Sequence, residues 1–329
     1  MALSLALVRG RTVVSRLAPI TLVLSSSSSS SRCRHASTSS SSPKKVVVVG
    51  AGLMGTGIAQ VAATAGYQVS LLDVKQEFVD KGLKRIEASL QRVAKKKGQA
   101  PEEVSRTLAL ITPSTALESV AGAELVVEAV VENLAVKREL FSRLDRLAAP
   151  STIFASNTSS LRIGDISAAI RPDRFGGLHF FNPVPVMPLV EVIRTPATSD
   201  ATFAALRAFG TAVGKTPVSC GDTPGFIVNR LLVPYMAEAI RMLERGDATA
   251  DDIDTAMKLG AGYPMGPFTL LDYVGLDTTK FILDGWHTDF PNEPLFKPSP
   301  MLDKLVAQGK LGLKSGEGFY KYDAQGKRL

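Results

Sequence analysis

His179 is one of three histidines in this 329-residue chain, and it lies in the segment GLHFFNPVPVMPLVEV, residues 177–192. The next charged residue is Glu191, which stands among leucine and valine where a buried strand would ordinarily carry another valine. A neutral imidazole is the usual proton acceptor near neutral pH. A carboxylate on its other ring nitrogen would fix the tautomer and favour the charged ring after proton transfer. The two residues could therefore act as a general base and the carboxylate that orients it, although a histidine bonded to a backbone carbonyl is the structural alternative.

Two further polar residues could accompany this pair. Ser159 follows the end of a predicted strand, where α/β sheets place ligand-binding groups. It could equally cap the helix that is predicted to begin near Ile163. Asn229 is surrounded in the sequence by apolar residues, so its amide needs a hydrogen-bond partner, either in the core or in a site.

A glycine-rich turn lies closer to the N-terminus. The segment VVVVGAGLMGTGIAQ places Gly50, Gly52 and Gly55 as GxGxxG between a valine run and a helical pattern. These glycines permit a tight turn and close approach of a pyrophosphate, to which the helix N-terminus offers free N–H groups. Asp73 ends the next predicted strand, where a carboxylate can bond the adenosine ribose and repel a 2′-phosphate. The pattern predicts a site for NAD rather than NADP, with FAD as the remaining alternative. The turn residues predicted to contact the cofactor are Gly50, Ala51, Gly52, Leu53, Met54 and Gly55.

Positioning these residues requires a sheet with helices on it. From Lys44 onward, short β-branched runs alternate with longer helical patterns. The predicted strands are residues 46–49, 69–72, 125–130, 152–155, 175–179, 189–193 and 217–219. Helices between strands imply crossover connections. We therefore predict an α/β fold whose N-terminal domain is a Rossmann-type, doubly wound, mostly parallel sheet.

The strand signal stops after CGDTPG, residues 220–225, and the rest of the chain has helical patterns. We expect an NAD-binding domain over residues 44–221 and a smaller, all-α dimerisation domain over residues 222–329. Residues 226–233 are apolar almost all round, which predicts a fully buried start to the first helix of that second domain. Pro234 should kink that helix. A helical domain this apolar is expected to share its core with a second subunit.

The composition is that of a globular protein, with 45% hydrophobic and 21% charged residues. The formal charge of +7 includes five arginines in residues 1–43, a segment without Asp or Glu, so the remainder carries only +2. That balance argues against a nucleic-acid partner. No stretch reaches the length of a membrane span.

Residues 1–43 have the composition of a mitochondrial transit peptide, with spaced arginines, serine runs and no acidic residue. A disordered tail is the alternative, and a secretory signal fits less well because the apolar run is short. Cys33 would be lost with this segment, which leaves Cys220 alone. A single cysteine forms no intrachain disulfide and no cysteine metal cluster, consistent with a reducing compartment.

Five long motifs occur in order: VGAGLMGTGIAQVAA, ASNTSSL, GLHFFNPVPVMPLVEV, DTPGFIVNRLLVPYMAEAI and GAGYPMGPFTLLDYVGLD. Together they resemble the L-3-hydroxyacyl-CoA dehydrogenase family of mitochondrial fatty-acid β-oxidation, from Lys44 nearly to the C-terminus. The resemblance implies NAD-dependent oxidation of L-3-hydroxyacyl-CoA to 3-ketoacyl-CoA by a homodimer in the mitochondrial matrix. It also implies that His179 is the base, that Glu191 orients it, and that Ser159 and Asn229 lie at the substrate.

The resemblance extends to binding residues. The basic helical pattern between Val74 and Gly98 carries Ser89 and Lys96, which are seven residues apart and so share a helix face. The family uses the matching pair to hold coenzyme A, whereas most other lysines here are expected to be solvated. By resemblance alone, the NAD site also includes Glu132, Lys137, Ser159, Asn182 and Lys314.

Two alternatives remain at this point. A related dehydrogenase that acts on a free hydroxy acid would share the plan but would not need Ser89 and Lys96. A non-catalytic NAD-binding relative would be expected to lack His179 or Glu191, and this chain has both.

Overall fold

The computed structural model describes residues 45–98, 100–168 and 170–329, so the predicted transit peptide lies outside the described residues. The strands of the described residues are β1 Lys45–Val49, β2 Gln68–Leu72, β3 Ile111–Ser114, β4 Leu125–Glu128, β5 Ile153–Ser156, β6 Phe175–Phe180, β7 Leu189–Arg194 and β8 Thr216–Gly221. The helices are α1 Leu53–Thr64, α2 Gln76–Lys97, α3 Pro101–Ala109, α4 Leu134–Leu147, α5 Ile163–Ser167, α6 Asp200–Ala212, α7 Val228–Glu244, α8 Ala250–Gly260, α9 Pro267–Val274, α10 Leu276–Asp289 and α11 Pro300–Ala307.

The eight strands form one sheet in the order β3-β2-β1-β4-β5-β6-β7-β8. Neighbouring strands are parallel except β6 and β7, which pair antiparallel. This confirms the α/β class and the mostly parallel sheet. The strand order reverses at β1, which lies between β2 and β4, and ligands of such sheets bind at the carboxyl ends of the strands beside that reversal.

The sequence missed one strand. β3 lies at the edge of the sheet, and of its four residues only Ile111 is buried. It contains Pro113, which an edge strand tolerates because one side of its backbone needs no partner. The seven predicted strands all form, with boundaries displaced by no more than a few residues.

Apolar side chains cover both faces of the sheet. Along β1, Val46 and Val48 belong to one hydrophobic cluster and Val47 and Val49 to the other, as alternation along a strand requires. A strand buried on both faces has no polar positions, which explains the unbroken valine run.

A third hydrophobic cluster lies wholly within residues 233–320 and is built from α7 to α11. Its largest buried side chains include Phe268, Trp286 and Phe296. Because this cluster contains no residue of the sheet, the chain has one core on the sheet, whose second cluster extends to Phe226, and a separate core that begins at Val233. A domain boundary near Asp222 stays a prediction.

The start of α7 differs from its prediction. Phe226 and Val233 are buried, but Leu231 is 69% exposed and Ile227 is 36% exposed, so full burial of residues 226–233 is wrong for the single chain. The helix presents Val233 and Met236 to the third cluster, and Leu231 lies on a side that this core does not cover. Pro234 lies inside the helix, which continues past it.

Candidate active site

The antiparallel pairing of β6 and β7 makes His179 and Glu191 direct cross-strand partners. Directly paired residues project to the same face of a sheet. The imidazole Nδ1 lies 2.7 Å from Glu191 Oε2, and the two residues are 4% and 0% exposed. An ionised carboxylate only accepts hydrogen bonds, so Nδ1 carries the hydrogen and Nε2 of a neutral ring has a free lone pair. The arrangement is that of an oriented base.

The second carboxylate oxygen of Glu191 holds the beginning of α7. Oε1 accepts hydrogen bonds from the backbone N–H groups of Ile227, at 3.1 Å, and Val228, at 2.9 Å. These groups would otherwise be unpaired donors at a helix start, and an anion there interacts favourably with the helix dipole. Glu191 therefore fixes the base and the first helix of the C-terminal region at once.

The free nitrogen of the base faces Ser159. Its Nε2 lies 3.0 Å from Ser159 Oγ, although the two residues are 20 positions apart in the chain. Asn229 approaches the same place from α7, with Nδ2 donating to the Ser159 carbonyl oxygen at 3.4 Å. The structure thus brings together all four predicted catalytic residues, His179, Glu191, Ser159 and Asn229.

Glu132 organises the segment that carries Ser159. Its Oε1 accepts hydrogen bonds from Thr158 Oγ1 at 2.5 Å, from the Ser159 N–H at 2.9 Å, and from both the N–H and the hydroxyl of Ser160 at 3.0 Å. Burial alone would raise the pKa of Glu132. Lys137 and these hydrogen bonds outweigh burial, so the pKa lies below its usual value. The carboxylate therefore stays ionised and holds the loop.

Lys137 links Glu132 to a second, deeper carboxylate. Its Nζ lies 2.5 Å from Glu128 Oε1 and 3.2 Å from Glu132 Oε2, and Lys137 and Glu128 are 1% and 0% exposed. Glu128 also accepts hydrogen bonds from Ser156 Oγ at 2.6 Å and from the Val130 N–H at 2.7 Å. A buried ion pair is tolerated when the remaining hydrogen-bonding capacity is satisfied in this way.

The glycine turn has the shape of a dinucleotide site. Gly50 has φ +107°, and a Cβ on Gly55 would lie 1.7 Å from the Gly50 carbonyl oxygen, so neither tolerates a side chain. A Cβ on Gly52 would meet nothing within 4 Å, which leaves open space above the turn. The N-terminus of α1 has no side-chain cap, so its first N–H groups are available to an anion. Ala51 is buried, whereas Leu53 is 57% exposed and Met54 is partly exposed. These residues fit the pyrophosphate of NAD.

Asp73 is hydrogen-bonded to the turn itself. Its Oδ2 accepts the Ala51 N–H at 2.6 Å and its Oδ1 accepts the Val74 N–H at 2.7 Å. Each oxygen keeps capacity for one more donor, as a ribose hydroxyl would supply. The carboxylate is thereby held beside the glycine turn, where its charge would oppose a 2′-phosphate.

Four predicted binding residues do not take part in the hydrogen bonds described above for the catalytic residues and the glycine turn. Asn182 is exposed just after β6. Ser89 and Lys96 lie on α2, where Ser89 is partly exposed and Lys96 is exposed. Lys314 pairs with Asp277 at 2.5 Å in the C-terminal region, and its hydrogen bonds and ion pairs within the described residues include none of the other site residues.

The described cysteine is not a nucleophile. Burial raises the pKa of the Cys220 thiol to about 12, and the neighbouring carboxylates of Glu191 and Asp222 act in the same direction. Thiolate chemistry needs a lowered pKa. The His179 imidazole, with Nδ1 bonded to Glu191 and Nε2 facing Ser159, is therefore left as the candidate base at this site.

Sequence reasoning overlooked several supporting residues. Glu128 ends the buried strand β4 as a lone acid among valines, the same signal that identified Glu191. Asp222 accepts the N–H groups of Ile163, at 2.7 Å, and Gly164, at 2.8 Å, and so caps α5. Asn157 Oδ1 accepts the Phe180 N–H at 2.8 Å and ties β5 to β6 beside the base. No local pattern marks the last two.

Comparisons with known proteins agree with this geometry. Residues 45–223 match the sequence model of the 3-hydroxyacyl-CoA dehydrogenase NAD binding domain, and residues 225–322 match that of the 3-hydroxyacyl-CoA dehydrogenase C-terminal domain. The human mitochondrial hydroxyacyl-coenzyme A dehydrogenase is 64% identical over 282 residues, which cover 84% of this chain and 90% of that protein. A 3-hydroxybutyryl-CoA dehydrogenase of Mycobacterium tuberculosis is 48% identical over 84% of this chain and 97% of its own length. The crystal structure of (S)-3-hydroxybutyryl-CoA dehydrogenase from Ralstonia eutropha has a TM-score of 0.83 and 41% identity, covering 86% of this chain and all of that one.

Proposed function

Because the chain belongs to the 3-hydroxyacyl-CoA dehydrogenase family, we propose how its residues carry out the reaction of that family. The protein is an NAD-dependent oxidoreductase of fatty-acid metabolism that oxidises 3-hydroxyacyl-CoA. The observation that carries the assignment of roles is the histidine held by Glu191 through Nδ1, with Nε2 directed at Ser159.

In the proposed mechanism, His179 Nε2 takes the proton of the substrate 3-hydroxyl. When NAD⁺ is bound, it would accept the hydride from the substrate carbon that carries this hydroxyl. Glu191 holds the ring and stabilises the imidazolium that forms. Ser159, 3.0 Å from Nε2, is placed to donate a hydrogen bond to the oxygen that becomes a carbonyl. Asn229 holds the Ser159 backbone and brings α7 to the substrate.

The remaining assignments complete the cofactor and substrate sites. We assign the pyrophosphate to the turn of residues 50–55 and the adenosine ribose to Asp73. Glu132 and Lys137 support the nicotinamide side through the Ser159 segment, and Asn182 contributes from the loop after β6. Lys314 is assigned to the NAD site by family resemblance alone, since its partner in the structure is Asp277.

The direct test is NADH formation by purified protein. L-3-Hydroxybutyryl-CoA should be oxidised, whereas free 3-hydroxybutyrate should be oxidised far more slowly because it lacks the coenzyme A portion. Comparable rates with both substrates would favour the free-acid dehydrogenase instead.

Asp73 should set the preference for NAD⁺ over NADP⁺. In Asp73→Asn, an amide oxygen can still accept the Ala51 N–H, so the turn keeps its support while the charge is lost. We expect the ratio of kcat/KM for NAD⁺ to that for NADP⁺ to fall about tenfold, equivalent to about 1.4 kcal/mol. Steady-state kinetics with both cofactors measures this ratio. A wild type that uses both equally would contradict the assignment.

Lys96 should contribute binding to coenzyme A rather than chemistry. Lys96→Ala is expected to raise the KM for a 3-hydroxyacyl-CoA with kcat little changed, because a contact made equally in ground and transition states affects KM alone. The effect should shrink with added salt, as for an exposed charge. Lys95→Ala is the matched control, since Lys95 is also exposed but lies about 100° away around the helix.

A truncated substrate isolates this contact. The N-acetylcysteamine thioester lacks the nucleotide end of coenzyme A, so wild type and Lys96→Ala should handle it equally poorly. An equal loss by the variant on both substrates would mean that Lys96 acts through folding or chemistry.

We also propose that the protein is a homodimer formed through its helical region. The apolar side chains Leu231, Tyr273 and Phe281 are 69%, 62% and 62% exposed there. Exposed apolar side chains mark an interaction surface when they form one contiguous patch. Sedimentation should give the dimer mass for wild type and the monomer mass for the double variant Leu231→Asp with Phe281→Asp, and a monomeric wild type would refute the proposal.

The domain division near Asp222 is supported by the separate third cluster.

The human and rat relatives are named mitochondrial, which supports a mitochondrial location for this protein. We propose the matrix as its location and residues 1–43 as the targeting segment, because that segment has five arginines and no acid. A fluorescent fusion to residues 1–43 should enter the matrix, and a cytosolic fusion would count against the targeting role. Among the described residues, no helix has both the length and the apolar character needed to cross a membrane.

A further inference from the structure

Lys215 is a buried lysine whose role the reaction does not explain. It directly precedes β8 and is 8% exposed. Among the described residues, no carboxylate lies within ion-pair distance of its Nζ. The ammonium instead donates hydrogen bonds to the carbonyl oxygens of Val184, at 2.5 Å, and Met187, at 2.8 Å. Burial lowers the pKa of Lys215, which reflects the cost of holding a cation away from water.

The two carbonyls belong to the β6–β7 loop, residues 181–188, which joins the strand of His179 to the strand of Glu191. Inside the loop, the N–H groups of Val186 and Met187 both donate to the Pro183 carbonyl oxygen at 2.9 Å. At its end, the Thr216 N–H donates to the Pro188 carbonyl oxygen at 2.7 Å. The start of β8 thus holds the loop through hydrogen bonds from the Lys215 side chain and from the Thr216 backbone N–H.

The loop contacts the catalytic base on one side and the nucleotide helix on the other. The Phe181 ring packs on the His179 ring, with centroids 4.6 Å apart. Val184 is 2% exposed, and a Cβ added at Gly57 of α1 would come within 2.7 Å of the Val184 Cβ. Asn182, assigned above to the cofactor site, lies between these two contacts in the chain. A shift of the loop would therefore move Asn182 relative to the glycine turn.

We propose that Lys215 is a positioning residue, whose ammonium binds two carbonyls of the β6–β7 loop and thereby fixes Asn182 against the nucleotide site. Packing alone does not need a cation at this position, because a methionine of similar length would fill the space without the cost of desolvating a charge. The inference rests on the proposed function for the role of Asn182, but its test does not require turnover.

The first measurement is the dissociation constant of NADH, followed by fluorescence, for wild type and Lys215→Met. We expect the constant to rise about tenfold, because a loosened loop must be ordered at the expense of binding. In turnover, the KM for NAD⁺ should rise similarly while kcat falls no more than about threefold, since β-pairing and the Glu191 carboxylate still hold His179 when the packing of Phe181 is loosened. Lys215→Arg keeps the charge and several donors and should restore most of the affinity.

Lys45→Met is the matched control. Lys45 also donates its Nζ to a backbone carbonyl, that of Ala121 at 2.8 Å, but it lies at the start of β1, away from the carboxyl ends of the strands. It should leave NADH affinity unchanged. If Lys215→Met lowers only the unfolding temperature and binds NADH as wild type does, Lys215 is structural and the proposal is overturned. Absence of any turnover by wild type would instead count against the proposed function, since NADH binding is measured separately.

A second perturbation reaches the loop from its other side. Gly57→Ala introduces a methyl group against Val184 and should weaken NADH binding in the same way. The double variant should lose less than the product of the two single losses, because both changes displace the same loop. If Lys215→Met does not fold, the test rests on the other two variants. Wild-type affinity for NADH in Lys215→Arg together with weakened affinity in Gly57→Ala supports the proposal. Unchanged affinity for NADH in Gly57→Ala overturns it.

Discussion

Replacement of His179 by glutamine is expected to lower kcat by roughly 10²- to 10⁴-fold, the range of a lost general base. Glutamine is polar and of similar reach, so it can keep a hydrogen bond to Glu191 but cannot take the proton. The affinity for NAD should change little, because the glycine turn and Asp73 lie on other strands. Stopped-flow or steady-state NADH formation and a separate NADH titration measure the two quantities.

Two further variants provide a control and a comparison for this prediction. His287→Gln removes a histidine of α10 that lies beside Pro291 and Glu293 in the C-terminal region, and it should leave kcat unchanged. Glu191→Gln should give a smaller but clear loss, because the base remains while its orienting charge is gone. Activity of His179→Gln close to that of wild type would show that another group accepts the proton.

Lys137→Met is expected to reduce the free energy of unfolding by about 3–5 kcal/mol, the usual cost of removing one partner of a buried ion pair. The change leaves the fully buried Glu128 and the partly buried Glu132 without their shared cation. Activity should also fall in the folded fraction, because Glu132 holds the Ser159 segment. Urea denaturation measures the stability. Arg245→Met is the control, since Arg245 also contacts two acids, Glu238 and Asp247, but at the surface, where screening makes such pairs weak.

The pH dependence of stability gives an independent check on the same network. Because the pKa of Glu132 is lowered in the folded protein, its stabilising contribution is complete above the pKa of an unfolded glutamate, about 4.3. The contribution is lost as pH falls through the lowered folded value. In Lys137→Met, this acid-sensitive component should shrink, and a stability profile parallel to that of wild type below pH 5 would contradict the assigned coupling.

The nucleotide end was predictable because its determinants are close in sequence. The turn of residues 50–55 needs only a strand, three glycines and a helix start in succession, and Gly50 and Gly55 do exclude side chains as expected. Buried strands were equally clear where both faces are apolar, as in β1. β3 was missed since an edge strand with a single buried residue has no such pattern.

The sequence by itself determined the α/β class, the glycine turn with Asp73, and the candidacy of His179 and Glu191, because each follows from residue types within a short segment. Only the tertiary structure decided that β6 and β7 run antiparallel in a register that pairs His179 with Glu191. It also decided that Glu191 caps α7 and that Glu132 accepts hydrogen bonds from residues 158–160. The hydrogen bond from Lys215 to the β6–β7 loop was likewise visible only in the folded structure. These contacts join residues 12 to 37 positions apart. Their geometry depends on strand order and register. Local sequence patterns are compatible with several orders and registers, and the packing of the sheet selects one.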